Sequence, residues 1–153
     1  MGEANLRALG QKRRRRLICH WWVDGATVSS MTNRQRVVVI GASPKPHRYA
    51  FKAMQMLRQY GHEPLLVNPA YDEITGLKCY RQIGEVPAPV DTVTVYLGKR
   101  RSDPLIHEIT GIAPRRIILN PGAENDDLTN AARSKGIEVV EGCTLVMLSV
   151  GSF

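Results

Sequence analysis

Four β-branched residues in a row, Val37-Val38-Val39-Ile40, run directly into Gly41-Ala42-Ser43-Pro44. No other stretch restricts the fold as much. An apolar run without polar alternation suits a strand covered on both faces, the condition of strands in parallel sheets. Past the turn, Ala50, Ala53, Met54 and Leu57 recur at the spacing of one helix face, and Gly61 supplies a C-terminal stop. Pro64-Leu65-Leu66-Val67 then reads as a second buried strand. From Val37 to Val67 the span matches a strand–helix–strand unit of about 30 residues. Such crossovers are right-handed, which sets the two strands parallel and adjacent.

The same alternation continues. Thr92 to Leu97 reads as strand three, and Ser102 is placed to cap a helix running through Ile109. Ile117-Ile118-Leu119 is strand four. Asn125 caps a helix carrying Leu128, Ala131, Ala132 and Lys135, closed by Gly136, and Ile137 to Val140 is strand five. Tyr71 to Glu85 is a long connection in which Thr75 to Tyr80 has room for a short strand, and Leu145 to Leu148 is an apolar terminal segment. The pattern predicts an α/β fold: a Rossmann-like, doubly wound, parallel five-stranded sheet with helices on both faces.

Residues 1–33 are different in character. They hold six basic residues against two acidic ones, so four of the seven net charges lie there, with Lys12 to Arg16 as an unbroken basic run. Like charges resist packing, and the expectation is a basic, disordered extension, with the folded domain spanning residues 34–153. Without that extension the charge is ordinary and does not point to nucleic acid. No apolar run approaches the ~20 residues of a membrane span. Cys19, Cys79 and Cys143 show no metal spacing, which suits a reducing, cytoplasmic setting. Cys79 and Cys143 read as packing residues, with Cys143 expected at the carboxyl edge of the sheet. His47 and His62 read as exposed.

Ligands of such sheets bind beyond the carboxyl ends of the strands, where strand order reverses. Four loops should meet there: Gly41 to Arg48, Asn68 to Tyr71, Gly98 to Ser102, and Asn120 to Glu124. In the first, backbone N–H groups at a helix start offer an anion site, with Lys45 and Arg48 beside it. A dinucleotide fingerprint would require G-x-G-x-x-G and an acid about 20 residues on. The three slots instead hold Gly41, Ser43 and Pro46, and strand two ends in Asn68. Both departures disfavour NAD and leave two ligands with an extra phosphate, coenzyme A and NADP.

From Arg36 to Phe153 the chain resembles the small single-domain CoA-binding proteins, related to the CoA-binding domain of succinyl-CoA synthetase α-subunits. The likeness is carried by Val39-Ile40-Gly41-Ala42-Ser43-Pro44, Val67-Asn68-Pro69, Gly76-Leu77-Lys78-Cys79-Tyr80, Pro89-Val90-Asp91 and Asn120-Pro121-Gly122-Ala123-Glu124-Asn125. It implies a CoA site at Gly41, Ala42, Ser43, Lys45, Arg48, Asn68, Pro69 and Gly98. Many relatives place a basic residue after Asn-Pro, where this chain has Ala70. Lys99, Arg100 and Arg101 are the cations nearest in sequence to another site loop that could compensate. No nucleophile–base or metal constellation is evident. The expectation is a non-enzymatic binder of CoA or acyl-CoA, a carrier or sensor, with an NADP-dependent reductase and a ligand-free interaction module as alternatives. A homodimer stays open.

Overall fold

The structure, a computed structural model, describes residues 34–153. The basic extension expected over residues 1–33 lies outside the described residues. Within them the strands are β1 (Arg36–Ile40), β2 (Glu63–Val67), β3 (Glu73–Ile74), β4 (Leu77–Tyr80), β5 (Thr92–Val95), β6 (Arg116–Leu119) and β7 (Glu138–Glu141). The helices are α1 (Tyr49–Gln59), α2 (Lys99–Ser102), α3 (Ile106–Gly111), α4 (Asp126–Ser134) and α5 (Thr144–Ser149).

All seven strands form one sheet in the order β3-β4-β2-β1-β5-β6-β7. The expected five parallel strands are present, but the strand count is corrected to seven. The two additions come from the long connection. Thr75 and Gly76 both adopt positive φ, 51° and 78°, folding β3 back antiparallel on β4. Cys79 and Tyr80 then pair in parallel with Leu66 and Val67. β4 is the short strand expected within Thr75 to Tyr80, whereas β3, two residues long, leaves too little alternation to be read from sequence. Taken in chain order, the six parallel strands run 3-2-1-4-5-6, so the order reverses between β1 and β5.

The alternating side chains of β1 divide the core. Val38 and Ile40 join Leu65, Val93, Ile109, Ile117 and Leu128 on the face covered by α3 and α4. Val37 and Val39 join Ala50, Met54, Leu57, Leu66 and Leu148 under α1 and α5. Burial at this level contributes about 1.5–3 kcal/mol per large aliphatic side chain, so β1 anchors both layers at once.

Helix ends explain where the loops begin. At the end of α1 the N–H of His62 reaches the Leu57 carbonyl at 2.8 Å and that of Gly61 reaches Arg58 at 3.1 Å, with Gly61 at φ 82°. This is a Schellman closure. It turns His62 inward, so that His62 is buried, not exposed as its sequence position suggests. Asn125 does cap α4, accepting from the N–H groups of Asp127 and Leu128 at 3.1 and 3.2 Å. Ser102 does not cap a helix. The helical segment starts earlier, at Lys99, and Ser102 is buried with its hydroxyl turned back to the Lys99 carbonyl at 3.2 Å.

Candidate functional site

At the carboxyl edge, where β1 and β5 diverge, two cavities of about 370 Å³ each open on either side of a common wall. Gly41, Asn68, Leu97 and Arg101 line both, so they are two lobes of one crevice. The first lobe has apolar walls from Ile40, Val67, Ile83, Leu97 and Leu105, with Arg81, Arg101 and Glu108 as its charged members. The second is more polar. It takes in Ala42, Ser43, Lys45, Arg48, Tyr71 and Tyr96, with Pro121 to Ala123 closing the far side.

The turn after β1 works differently from the sequence expectation. The N–H groups of Gly41 and Ala42 both donate to the Val67 carbonyl, at 3.1 and 3.2 Å, and are not free for a ligand. Gly41 contributes its φ of 84° and its lack of a side chain: a Cβ there would lie 2.9 Å from Leu97 Cδ2. The open donors come later. Among the described residues the N–H groups of Ser43, Tyr49 and Ala50 have no acceptor, and all three residues line the second lobe. Arg48 occupies the N-cap of α1 without a side-chain cap bond, and the first turn carries no acid. Two cations at an uncapped helix start are unfavourable alone and become favourable around an anion.

Asn68 ties two loops together. Its Nδ2 donates to the Ala42 carbonyl at 2.7 Å, and its Oδ1 accepts from the Ala70 N–H at 2.9 Å. The side chain therefore holds the loops in place while its residue lines both lobes. Gly98 lies behind the crevice and lines neither lobe; a Cβ on it would sit 3.4 Å from the Gly122 carbonyl, so its smallness lets two site loops approach. The other seven expected residues, Gly41, Ala42, Ser43, Lys45, Arg48, Asn68 and Pro69, are brought to the crevice.

The three basic residues after Gly98 separate. Lys99 is engaged with Asp103 at 3.1 Å and with Asp127, so it turns to the start of α4. Arg101 faces the crevice. In the Asn120 to Glu124 loop, the Glu124 carboxylate accepts from the Gly122 N–H at 2.9 Å. Backbone N–H groups of Glu124 itself and of Gly122 hold its carboxyl below the usual range. The Tyr96 hydroxyl is buried without a partner among the described residues, and burial pushes its pKa up to about 12. Its role in the second lobe is as a wall. Cys143 follows β7 at the carboxyl edge as the N-cap of α5 and lines neither lobe; burial pushes the Cys79 thiol up, as befits a core residue.

Tyr71 belongs to the expected loop Asn68 to Tyr71, whereas Arg81, Tyr96 and Leu97 are crevice residues outside the four expected loops. Leu97 and Tyr96 follow the end of β5, which sequence places well, so their position at the edge was available as a signal. Arg81 directly follows β4, the short strand expected within Thr75 to Tyr80, but its pairing beside β2 could not be read from two residues.

The family model described as a CoA binding domain matches residues 35–149. Among curated proteins the chain is 34% identical over 71 residues to the uncharacterized protein YneT of Bacillus subtilis, covering 46% of this chain and 50% of that one. It is 30% identical over 69 residues to the acetate–CoA ligase (ADP-forming) II subunit alpha of Pyrococcus furiosus, covering 44% of this chain and 15% of the subunit. The chain thus spans half of the Bacillus relative and a small part of the ligase subunit. Among solved structures, a crystal structure of an uncharacterized protein superposes with a TM-score of 0.75 at 38% identity, covering 78% of this chain and 98% of that one. A hypothetical protein from Pyrococcus horikoshii OT3, TM-score 0.73 at 23% identity, covers 83% of this chain and 90% of its own and shares the fold.

Proposed function

The chain belongs to the CoA-binding domain family, and from that premise we propose that its crevice binds coenzyme A or an acyl-CoA, as a carrier or sensor without catalysis. The observation that carries the reading is the open start of α1. Among the described residues the N–H groups of Ser43, Tyr49 and Ala50 are unpaired, and with Lys45 and Arg48 they line the second lobe, which shares Gly41 and Asn68 with the first. That combination suits a pyrophosphate bridging two unlike arms. In a sheet of this strand order the nucleoside lies toward the end of β2, so the apolar first lobe takes adenosine. The pantetheine arm then runs through the second lobe, past Tyr71 and Tyr96. The absence of a carboxylate at the end of β2, where Asn68 stands, favours a ligand with phosphate on its ribose over NAD.

Titration calorimetry with CoA, NADP and NAD, alongside native mass spectrometry of the protein purified without added ligand, tests the reading. CoA should bind most tightly and be retained in part through purification. Clear NADP or NAD binding with no CoA signal would refute it.

A further inference from the structure

Resting on the CoA reading, we propose that Arg81, held in place by Asp72, recognises the ribose phosphate of the ligand in the first lobe, leaving Lys45 and Arg48 to the pyrophosphate. The position follows from topology. Arg81 comes directly after β4, the parallel neighbour of β2, and lines the lobe together with Asn68 and Pro69. That is the region where sheets of this order hold the nucleoside ribose, and where an arginine can accommodate a ribose phosphate.

The guanidinium is also prepared for the task. Its Nε and Nη2 donate to the two carboxylate oxygens of Asp72 at 2.8 and 3.1 Å. The Arg81 N–H donates to Glu85 at 3.2 Å. A guanidinium carries five N–H donors in a rigid fork, so the pair with Asp72 fixes its plane and leaves three donors over. The side chain is 61% exposed and can be reached by a ligand. The hydrogen bonds from Arg81 hold the Asp72 carboxyl below its usual range, and their two-point geometry sets the plane of the guanidinium. Position 70 cannot serve instead. Ala70 has no charge, and its N–H is committed to Asn68. Arg101 borders both lobes and adds charge to each, while Glu108, the carboxylate lining the first lobe, is an acceptor suited to the amino group of a base. A phosphate monoester carries about −1.5 to −2 charge at neutral pH, enough to compete for the free donors of an arginine already paired on its other edge.

The test compares CoA with dephospho-CoA, which lacks only the ribose phosphate, by calorimetry on the full chain. The wild type should prefer CoA by about tenfold or more, the worth of a charge-assisted hydrogen bond. In Arg81→Gln that preference should fall to within about twofold, with dephospho-CoA affinity unchanged, which also shows that the fold is intact. In Arg48→Gln both ligands should weaken together and the preference should survive. The proposal is overturned if Arg81→Gln keeps the wild-type preference or weakens both ligands equally, or if the wild type does not distinguish them. Binding of neither ligand to the wild type would instead refute the CoA reading itself, and this proposal with it.

Discussion

Gly41→Ala isolates what the turn after β1 contributes. At φ 84° any side chain costs about 1–2 kcal/mol relative to glycine. Replacing glycine by alanine also stiffens the unfolded chain, which offsets about 0.4–1 kcal/mol. Gly61 shares the conformation, φ 82°, but a Cβ there meets nothing within 4 Å. Gly61→Ala is therefore the strain-only control, expected to lose roughly 0.5–1.5 kcal/mol. At Gly41 the new Cβ would lie 2.9 Å from Leu97 Cδ2 and 3.2 Å from its Cγ. Leu97 is a half-buried, flexible neighbour, and it must move. Overpacking adds about 1–3 kcal/mol, and the displaced side chain forms the wall common to both lobes. Denaturant titration should thus rank Gly41→Ala below Gly61→Ala in stability. CoA affinity should fall by about tenfold or more in Gly41→Ala, the equivalent of one lost good contact, and stay unchanged in Gly61→Ala. Equal stabilities together with wild-type CoA affinity in Gly41→Ala would refute the argument that Leu97 transmits the turn to the crevice.

Asn68→Ala would leave the Ala42 carbonyl and the Ala70 N–H without their side-chain partner; a loss of about 1–3 kcal/mol by denaturant titration and weaker CoA binding are expected, and retained affinity would show that the tie between the loops is dispensable. His62 accepts a hydrogen bond from the Gln35 N–H through Nδ1 at 3.2 Å, and burial, then Arg116, lowers its pKa below 6.5. The unfolded chain therefore takes up the proton first: stability is full above the ordinary histidine pKa and falls as pH drops through it toward the folded value. Thermal unfolding across that window should show the loss, and His62→Gln should flatten it. Lys99→Ala should leave CoA affinity unchanged in calorimetry, because Nζ is occupied by Asp103 and Asp127; weakened binding would return Lys99 to the site.

What could be read from the sequence was whatever burial repeats over several residues. Val37 to Ile40 announces a strand covered on two sides because every member of it is buried. The helix faces and the Asn125 cap are legible for the same reason, a periodic pattern ended by specific chemistry. Of the β3–β4 hairpin only β4 was legible, as the short strand expected within Thr75 to Tyr80; β3 is two residues long and its antiparallel return depends on the positive φ of Thr75 and Gly76. Thr75 is a residue that seldom adopts that region. Site residues followed the same division. A glycine after a buried strand marks the turn, but which N–H groups remain free depends on the Val67 carbonyl, set by the pairing of β1 with β2. The direction of Lys99 depends on where α4 places Asp127. Such facts arise only when distant segments meet.

The asparagines that make the sequence resemble its family act mainly as ties between loops. Asn68 joins the loop after β2 to the turn after β1. Asn120, buried, donates to Thr94 at 2.7 Å and to the Val95 carbonyl at 3.0 Å, and accepts from the Thr144 N–H at 2.9 Å. Asn125 adds bonds to Ser102 and Asp103 at 2.9 and 2.8 Å while capping α4. A carboxamide suits these places because it donates and accepts at once without charge, so one side chain satisfies backbone groups on two loops and leaves no buried ion. The consequence reaches binding. Ordering a loop on a ligand costs about 0.5–1.5 kcal/mol for each immobilised side chain, and loops already tied to one another and to β5 incur less of it. On the proposed CoA reading, the crevice would then hold a long, flexible ligand by its phosphates without first having to assemble its own walls.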